Sequence, residues 1–275
     1  MTAVLETVDL QVSYGAVRAV LGVTLSVGPG DVVALLGANG AGKTSTVRAS
    51  AGLVRAAGGK VRWEGQDVTN WQPHRLVRAG LAVVPEGRRV FAPMTVEENL
   101  ELGAFTNRSA ASRKDLKSEM YDMFPALAQR RHIRAGLLSG GEQQMLAFGR
   151  ALMSKPKVVM MDEPSIGLSP VMVDRVMRAV ADIGGLGIGV LLVEQNAIMA
   201  LAVAQTGIVL ERGKCVLSGD SESLRNDPGV VAAFLGDSVI RDSPESSPSA
   251  GRKGGKLRET SGPADPPAST RNDDP

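Results

Sequence analysis

Val32-Val33-Ala34-Leu35-Leu36-Gly37-Ala38-Asn39-Gly40-Ala41-Gly42-Lys43-Thr44 is the stretch around which the rest of the chain is organised. Five apolar, partly β-branched residues in a row predict a strand buried on both faces, as in a parallel sheet. From Gly37 to Thr44 the chain fits the phosphate-binding spacing G-x-x-x-x-G-K-[ST]. Glycines let the backbone curl so that successive N–H groups point inward, and a helix opening near Lys43 adds its positive dipole end. Lys43 is expected to neutralise the β- and γ-phosphates of a nucleotide. The Thr44 hydroxyl is placed to ligate Mg²⁺, a hard cation that prefers oxygen.

The chain has 275 residues, enough to bury a sizeable core. Its 31 basic and 29 acidic residues leave a net charge of +2, with no basic stripe that argues for nucleic acid. One cysteine, Cys215, excludes an internal disulfide framework; in the run Lys214-Cys215-Val216-Leu217 it is expected to act as a small core hydrophobe. The longest apolar stretch, Ile183 to Val193, is eleven residues with four glycines, too short to span a bilayer. With acids at Glu6 and Asp9 and no signal-like start, the expectation is a soluble cytoplasmic protein, held at any membrane by another subunit.

Outward from the loop, residues 4–36 alternate apolar and polar positions (Val4, Val8, Leu10, Val12, then Val23, Leu25, Val27) between turn signals, which predicts an antiparallel sheet. Tyr14 is one of nine aromatic residues; its ring suits either a flat base or a strand-end core. Leu81 to Pro85 reads as a second buried strand, ending in the polar loop Glu86-Gly87-Arg88-Arg89, where an open α/β sheet places ligand contacts. From about 90 to 155 helical signatures take over. Thr95 with Glu98 forms a capping box, and Leu116, Met120, Met123 and Phe124 recur at helical spacing, as a core stripe does. His74 and His132 have no second ligand at metal spacing.

Ser139-Gly140-Gly141-Glu142 opens the next helix with another capping box. Two glycines in its first turn suggest that something approaches the backbone closely, an anion being the natural candidate. Val158 to Met161 is an apolar strand ending in Asp162 and Glu163, carboxylates suited to Mg²⁺ and to an attacking water respectively. Val190 to Val193 is a further strand, ending at Glu194-Gln195-Asn196, and Ile208–Leu210 with Lys214–Leu217 reads as a hairpin. Residues 241–275, with sixteen Pro, Gly or Ser and Leu257 as the one large aliphatic, are expected to be a disordered tail.

In this order the pieces resemble the ATP-binding cassette (ABC) ATPases over about residues 4–236. Leu138 to Glu142 is similar to the family's signature motif, Gly37–Thr44 to Walker A, Val158–Asp162 to Walker B, and Ser165 to Ser169 to the D-loop. Two positions depart from the general pattern. Glu86 stands where most members carry the Q-loop glutamine, and Gln195 where most carry the switch histidine. Both look like one subgroup, the LivF-type subunits of branched-chain amino acid importers. Urea and short-amide importers carry similar subunits, and a regulatory cassette with little hydrolysis remains an alternative.

The resemblance implies a RecA-like α/β core with an antiparallel β-subdomain and a helical subdomain at about 88–156, together spanning 1–240. It implies that ATP is held by Tyr14 at the adenine and by Gly37, Asn39, Gly40, Ala41, Gly42, Lys43, Thr44 and Ser45 at the phosphates. Mg²⁺ would be held by Thr44, Asp162 and Glu86, with Glu163 and Gln195 catalytic. Ser139, Gly140, Gly141 and Glu142 would close over the nucleotide of a second ABC ATPase, different in sequence. Implied partners are transmembrane permease subunits at the cytoplasmic face of the membrane and, indirectly, a solute-binding protein.

Overall fold

The computed structural model describes residues 2–107 and 109–230; the tail expected at 241–275 lies outside the described residues. Two sheets share the core. The first is antiparallel, in the order β2-β1-β4-β5, from β1 (Leu5–Tyr14), β2 (Val17–Val27), β4 (Gly58–Trp63) and the short β5 (Gln66–Asp67). The second has six strands, from β3 (Val32–Leu36), β6 (Leu81–Val84), β7 (Val158–Asp162), β8 (Gly189–Glu194), β9 (Thr206–Glu211) and β10 (Lys214–Asp220), ordered β10-β9-β3-β8-β7-β6. Five run parallel and only β10 is antiparallel to its neighbour. Strands β3, β7 and β8 are buried at every residue, as their unbroken apolar runs require.

The alternation in β1 changes phase midway. Val8 is 39% exposed and Thr7 fully buried, against the expectation from the pattern. The register shifts between Thr7 and Leu10, where Asp9 takes φ 49°, and this bulge turns the strand's inward set over by one residue. Thr7 incurs no desolvation penalty, because its hydroxyl donates to Val23 O at 2.9 Å and accepts from Leu25 N at 3.2 Å.

Helix α1 (Lys43–Ser50) leaves the P-loop and packs toward the antiparallel sheet, and α2 (Pro73–Ala79) precedes β6. Between β6 and β7 the chain is helical: α3 (Val96–Gly103), α4 (Ala110–Met123), α5 (Pro125–Gln129) and α6 (Gly140–Leu152). The Thr95–Glu98 and Ser139–Glu142 capping boxes both form. Leu116, Met120 and Phe124 are buried in one cluster with Leu146 and Phe148 of α6, so the apolar stripe is core. Helices α7 (Pro170–Gly185), α8 (Ala197–Val203) and α9 (Ser221–Asn226) complete the order. Two apolar clusters result, one between the two sheets and one between the six-stranded sheet and its helices.

Cys215 is exposed, not a core residue. It lies on β10, one of the sheet's two edge strands, whose residues are nearly all exposed, and its thiol donates to Leu217 O at 3.4 Å. An edge strand needs no inward-facing set on both sides, which a local apolar count cannot reveal.

Candidate functional site: the P-loop and the strand ends around it

Because β3, β6, β7 and β8 are parallel, their carboxyl ends meet along one edge of the sheet, where ligands bind in open α/β folds. A cavity of about 450 Å³ opens there, lined among others by Asn39, Lys43, Thr44, Ser45, Glu86 and Glu163. Its floor is the curled loop after β3. Gly42, at φ 106°, is the N-cap of α1, and a Cβ there would stand 2.6 Å from Ala19 O of β2. At Gly37 a Cβ would meet Leu210 O at 2.5 Å. Neither position tolerates a side chain. No side chain caps α1 and no acid stands in its first turn, so its amides keep their attraction for an anion.

The charged groups of the site contact one another. Lys43 Nζ donates to Gly37 O at 2.7 Å and to Ala38 O at 3.2 Å, and lies 3.0 Å from Glu163 Oε1. Both partners are at least nine-tenths buried, so this ion pair is little screened. Thr44 Oγ1 donates to Asp162 Oδ1 at 3.1 Å, joining the P-loop helix to the end of β7 across the intervening β8. Burial raises the Asp162 carboxyl above its ordinary range. The charges of Glu163 and Glu86 push the same way, while the Thr44 bond and Lys43 oppose them. Among the described residues, no group of three or more His, Cys, Asp or Glu could hold a metal ion by itself.

Glu163 itself takes φ 47° and precedes Pro164, two demands that conflict, since the residue before proline favours extended backbone. Its N–H donates to Val193 O at 2.9 Å, which fixes the turn out of β7. Non-glycine residues held in this region cluster at functional sites.

Other sequence-chosen residues stand farther off. Tyr14 is 42% exposed at the end of β1 and does not line the P-loop cavity; neither does Gln195, exposed just after β8. Neither arginine after Glu86 offsets its carboxylate: Arg89 Nε donates to the Glu86 backbone carbonyl at 3.4 Å, and Arg88 Nη2 donates to Gly167 O at 3.3 Å. Ser139 to Glu142 lie at the start of α6, apart from this chain's own P-loop cavity. There Ser139 N donates to Glu142 Oε2 at 2.9 Å, and Glu142 N to Ser139 Oγ at 3.4 Å. Flexible side chains of the chain itself lie over the two glycines: a Cβ on Gly141 would displace the end of Met172, and one on Gly140 would meet Arg88 Nη1 at 2.9 Å.

Sequence reasoning gives three neighbours of the site no individual role, although Ile166 falls in the stretch similar to the D-loop and Glu194 is named at its strand's end. Ala19 closes over the P-loop from β2, Ile166 lines the cavity, and the buried Glu194 accepts from Ser165 N at 3.0 Å. Ala19 carried no signal, whereas Glu194 is a lone charge closing an apolar strand.

The family described as "ABC transporter" matches residues 6–166. The high-affinity branched-chain amino acid transport ATP-binding protein BraG of Pseudomonas aeruginosa is 43% identical, over 81% of this chain and 95% of that protein. A probable branched-chain amino acid transport ATP-binding protein, LivF of Archaeoglobus fulgidus, is 35% identical over 80% and 93%. The lipopolysaccharide export ATP-binding protein LptB of Haemophilus influenzae is 32% identical over 86% and 98%. Among solved structures, a nucleotide-free ATP-binding cassette from an ABC transporter superposes with a TM-score of 0.75 at 27% identity, covering 84% of this chain and 98% of that one. With a parallel sheet whose strand ends gather the P-loop lysine and two carboxylates, and with relatives along most of its length, the chain belongs to the ABC transporter family as an ATP-binding cassette ATPase.

Proposed function

We propose that the chain is the ATP-hydrolysing subunit of an importer of branched-chain amino acids. One observation carries the hydrolytic part: at the phosphate-binding loop the buried Lys43 pairs with the buried Glu163, and beside them Thr44 is hydrogen-bonded to the buried Asp162. Phosphates held by the α1 amides lie within reach of Lys43, which then exchanges Glu163 for a phosphate oxygen. Glu163, freed at the cavity wall, orients the attacking water and accepts its proton. The Thr44 hydroxyl and the Asp162 carboxylate are hard oxygen donors, a set that fits Mg²⁺, and with too few protein ligands for a cage the ion would arrive with the nucleotide. Bound there, Mg²⁺ supplies charge neutralisation on the phosphates. Glu86 lines the same cavity and would approach the phosphates only through that ion. Gln195 would hold the γ-phosphate by its amide N–H once the chain closes, and Tyr14 would cover the adenine.

The branched-chain reading rests on the names of BraG and LivF and on Glu86 and Gln195, which look like that subgroup. Among the described residues no helix is long and apolar enough to cross a membrane. Permease subunits would therefore hold the chain at the membrane's cytoplasmic face. A second, different cassette would supply its own signature helix to this site and receive Ser139–Glu142 in return. A solute-binding protein would act on the far side. The test is isolation of the full chain with its co-purifying membrane subunits, reconstitution into vesicles, and ATP-driven uptake of labelled leucine, isoleucine and valine. Leucine uptake abolished by Lys43→Ala is expected. Uptake of urea or a short amide instead would overturn the solute assignment, and a fully active homodimer would overturn the heterodimer.

A further inference from the structure

Strand β8 is apolar and buried from Gly189 to Val193, yet its last residue is a carboxylate, Glu194, only 3% exposed. Burying a carboxylate is unfavourable unless donors replace water. Among the described residues no cation lies at ion-pair distance from it. What it has is Ser165: Oε1 accepts from Ser165 N at 3.0 Å, and the Ser165 side chain also favours its charged form. Burial pushes the Glu194 carboxyl above its usual range and the charge of Glu163 adds to this, while bonds from Ser165 and the Gln195 N–H pull the other way.

The place of that bond matters. Val193 O accepts the N–H of Glu163 at 2.9 Å, and the next side chain of β8 accepts the N–H of Ser165. Residue 164 between them is proline and has no N–H to offer. Every backbone donor from 163 to 165 is thus bound by two consecutive residues of β8, and they bracket the pre-proline residue at φ 47°. A conformation this disfavoured persists only where the surroundings over-determine it.

We propose that Glu194 is a positioning residue: by holding Ser165 against the end of β8, it locks the left-handed turn that aims the Glu163 carboxylate into the nucleotide cavity. The same bond anchors the first residue of the loop Ser165–Ser169, whose far side Arg88 grips at Gly167 O. The proposal rests on the reading of Glu163 as the base. It requires an acceptor at residue 194 at the length of a glutamate side chain, not a charge.

The test uses the full chain in its co-purified transporter complex, with kcat and KM for MgATP and hydrogen exchange of the peptide carrying Ser165. Glu194→Ala should lower kcat at least about tenfold while KM stays within about twofold, because aim is lost and not nucleotide binding. It should also speed exchange at Ser165. Glu194→Gln keeps a carbonyl acceptor and should restore both readouts to near wild type. A wild-type kcat in Glu194→Ala, or a Glu194→Gln as slow as Glu194→Ala, would overturn the proposal. If the alanine variant fails to fold, Glu194→Asp, which withdraws the acceptor by one methylene, decides in the same way: slow turnover supports the clamp and wild-type turnover overturns it. Glu163→Gln runs beside these. Full turnover by that variant would remove the base reading alone, and Ser165 exchange would still decide the clamp.

Discussion

Two helix starts in this molecule carry a phosphate-type signature, and they are built in opposite ways. At α1 the N-cap is Gly42 in a left-handed conformation, with no side-chain cap and no acid, beside a buried lysine. At α6 the N-cap is Ser139, tied to Glu142 in both directions, with Arg130 Nε 3.0 Å from Glu142 Oε1. The first end is left open for a ligand within this chain's own cavity. The second is stabilised by its own residues, so it can wait on the surface without one. An α6 that is complete alone yet presents its start outward fits a surface that another cassette uses; an α1 that is incomplete alone fits the site where nucleotide is first held.

The contrast is tested most severely at Lys43 and Glu163. Glu163→Gln in the assembled complex should lower ATP turnover by about 10²-fold or more, as loss of a positioned base does, with nucleotide retained. Lys43→Ala should abolish measurable nucleotide binding and also destabilise the free chain by about 3 kcal/mol, since a buried Glu163 loses its partner. Calorimetric titration and thermal melts read both. Next in size is the response to ligand. ATP at about a hundred times its Kd should stabilise the isolated chain by about 2.7 kcal/mol. The accompanying fall in hydrogen exchange should be strong at residues 39–46 and absent at 139–142; equal protection of both ends would break the contrast. Gln195→Ala should cut turnover about tenfold, while Gln195→His should add a titration near pH 6.5.

Smaller effects sharpen the same picture. Ser139→Ala removes only a cap, about 1 kcal/mol, or roughly 2–4 °C in Tm for a domain of this size. Glu194 also sets a pH dependence. Its carboxyl is more readily protonated folded than unfolded, so its contribution is fully present below the unfolded pKa and lost as pH rises through the raised folded value. Without nucleotide, Glu194→Gln should therefore melt higher than wild type at neutral pH, with the gap closing toward acid pH. Deleting 241–275 should change neither Tm nor ATPase rate, because its composition offers little surface to pack.

Much of the fold and of the site was legible in the chain because local chemistry and global role coincide. The apolar runs Val32–Leu36 and Val158–Met161 read as buried strands and are buried at every residue, while the glycine loop and the carboxylates that follow them stand at the strand ends where the sequence put them. Three features were not legible, each for a physical reason. The phase change at Asp9 depends on a cross-strand bulge, with Thr7 satisfied by β2, and no period within β1 announces it. Cys215 depends on β10 lying at the sheet's edge, a fact of strand order. Glu194 depends on Ser165, which is 29 residues away and comes near only through β7–β8 pairing. The double glycine of α6 taught something else: the Met172 side chain packs over Gly141, so a stretch that suggested ligand approach also takes part in packing within the chain.

If Lys43 takes the phosphates as proposed, its pairing with Glu163 makes nucleotide capture an exchange of partners instead of a simple gain. Phosphates and carboxylate compete for one ammonium, and whatever affinity is measured is net of the contact surrendered. A chain with Glu163→Gln has less to surrender and should bind ATP more tightly than wild type before any hydrolysis is considered. The wild-type site gives up some grip, and in return its lysine is never left buried and uncompensated between one ATP and the next.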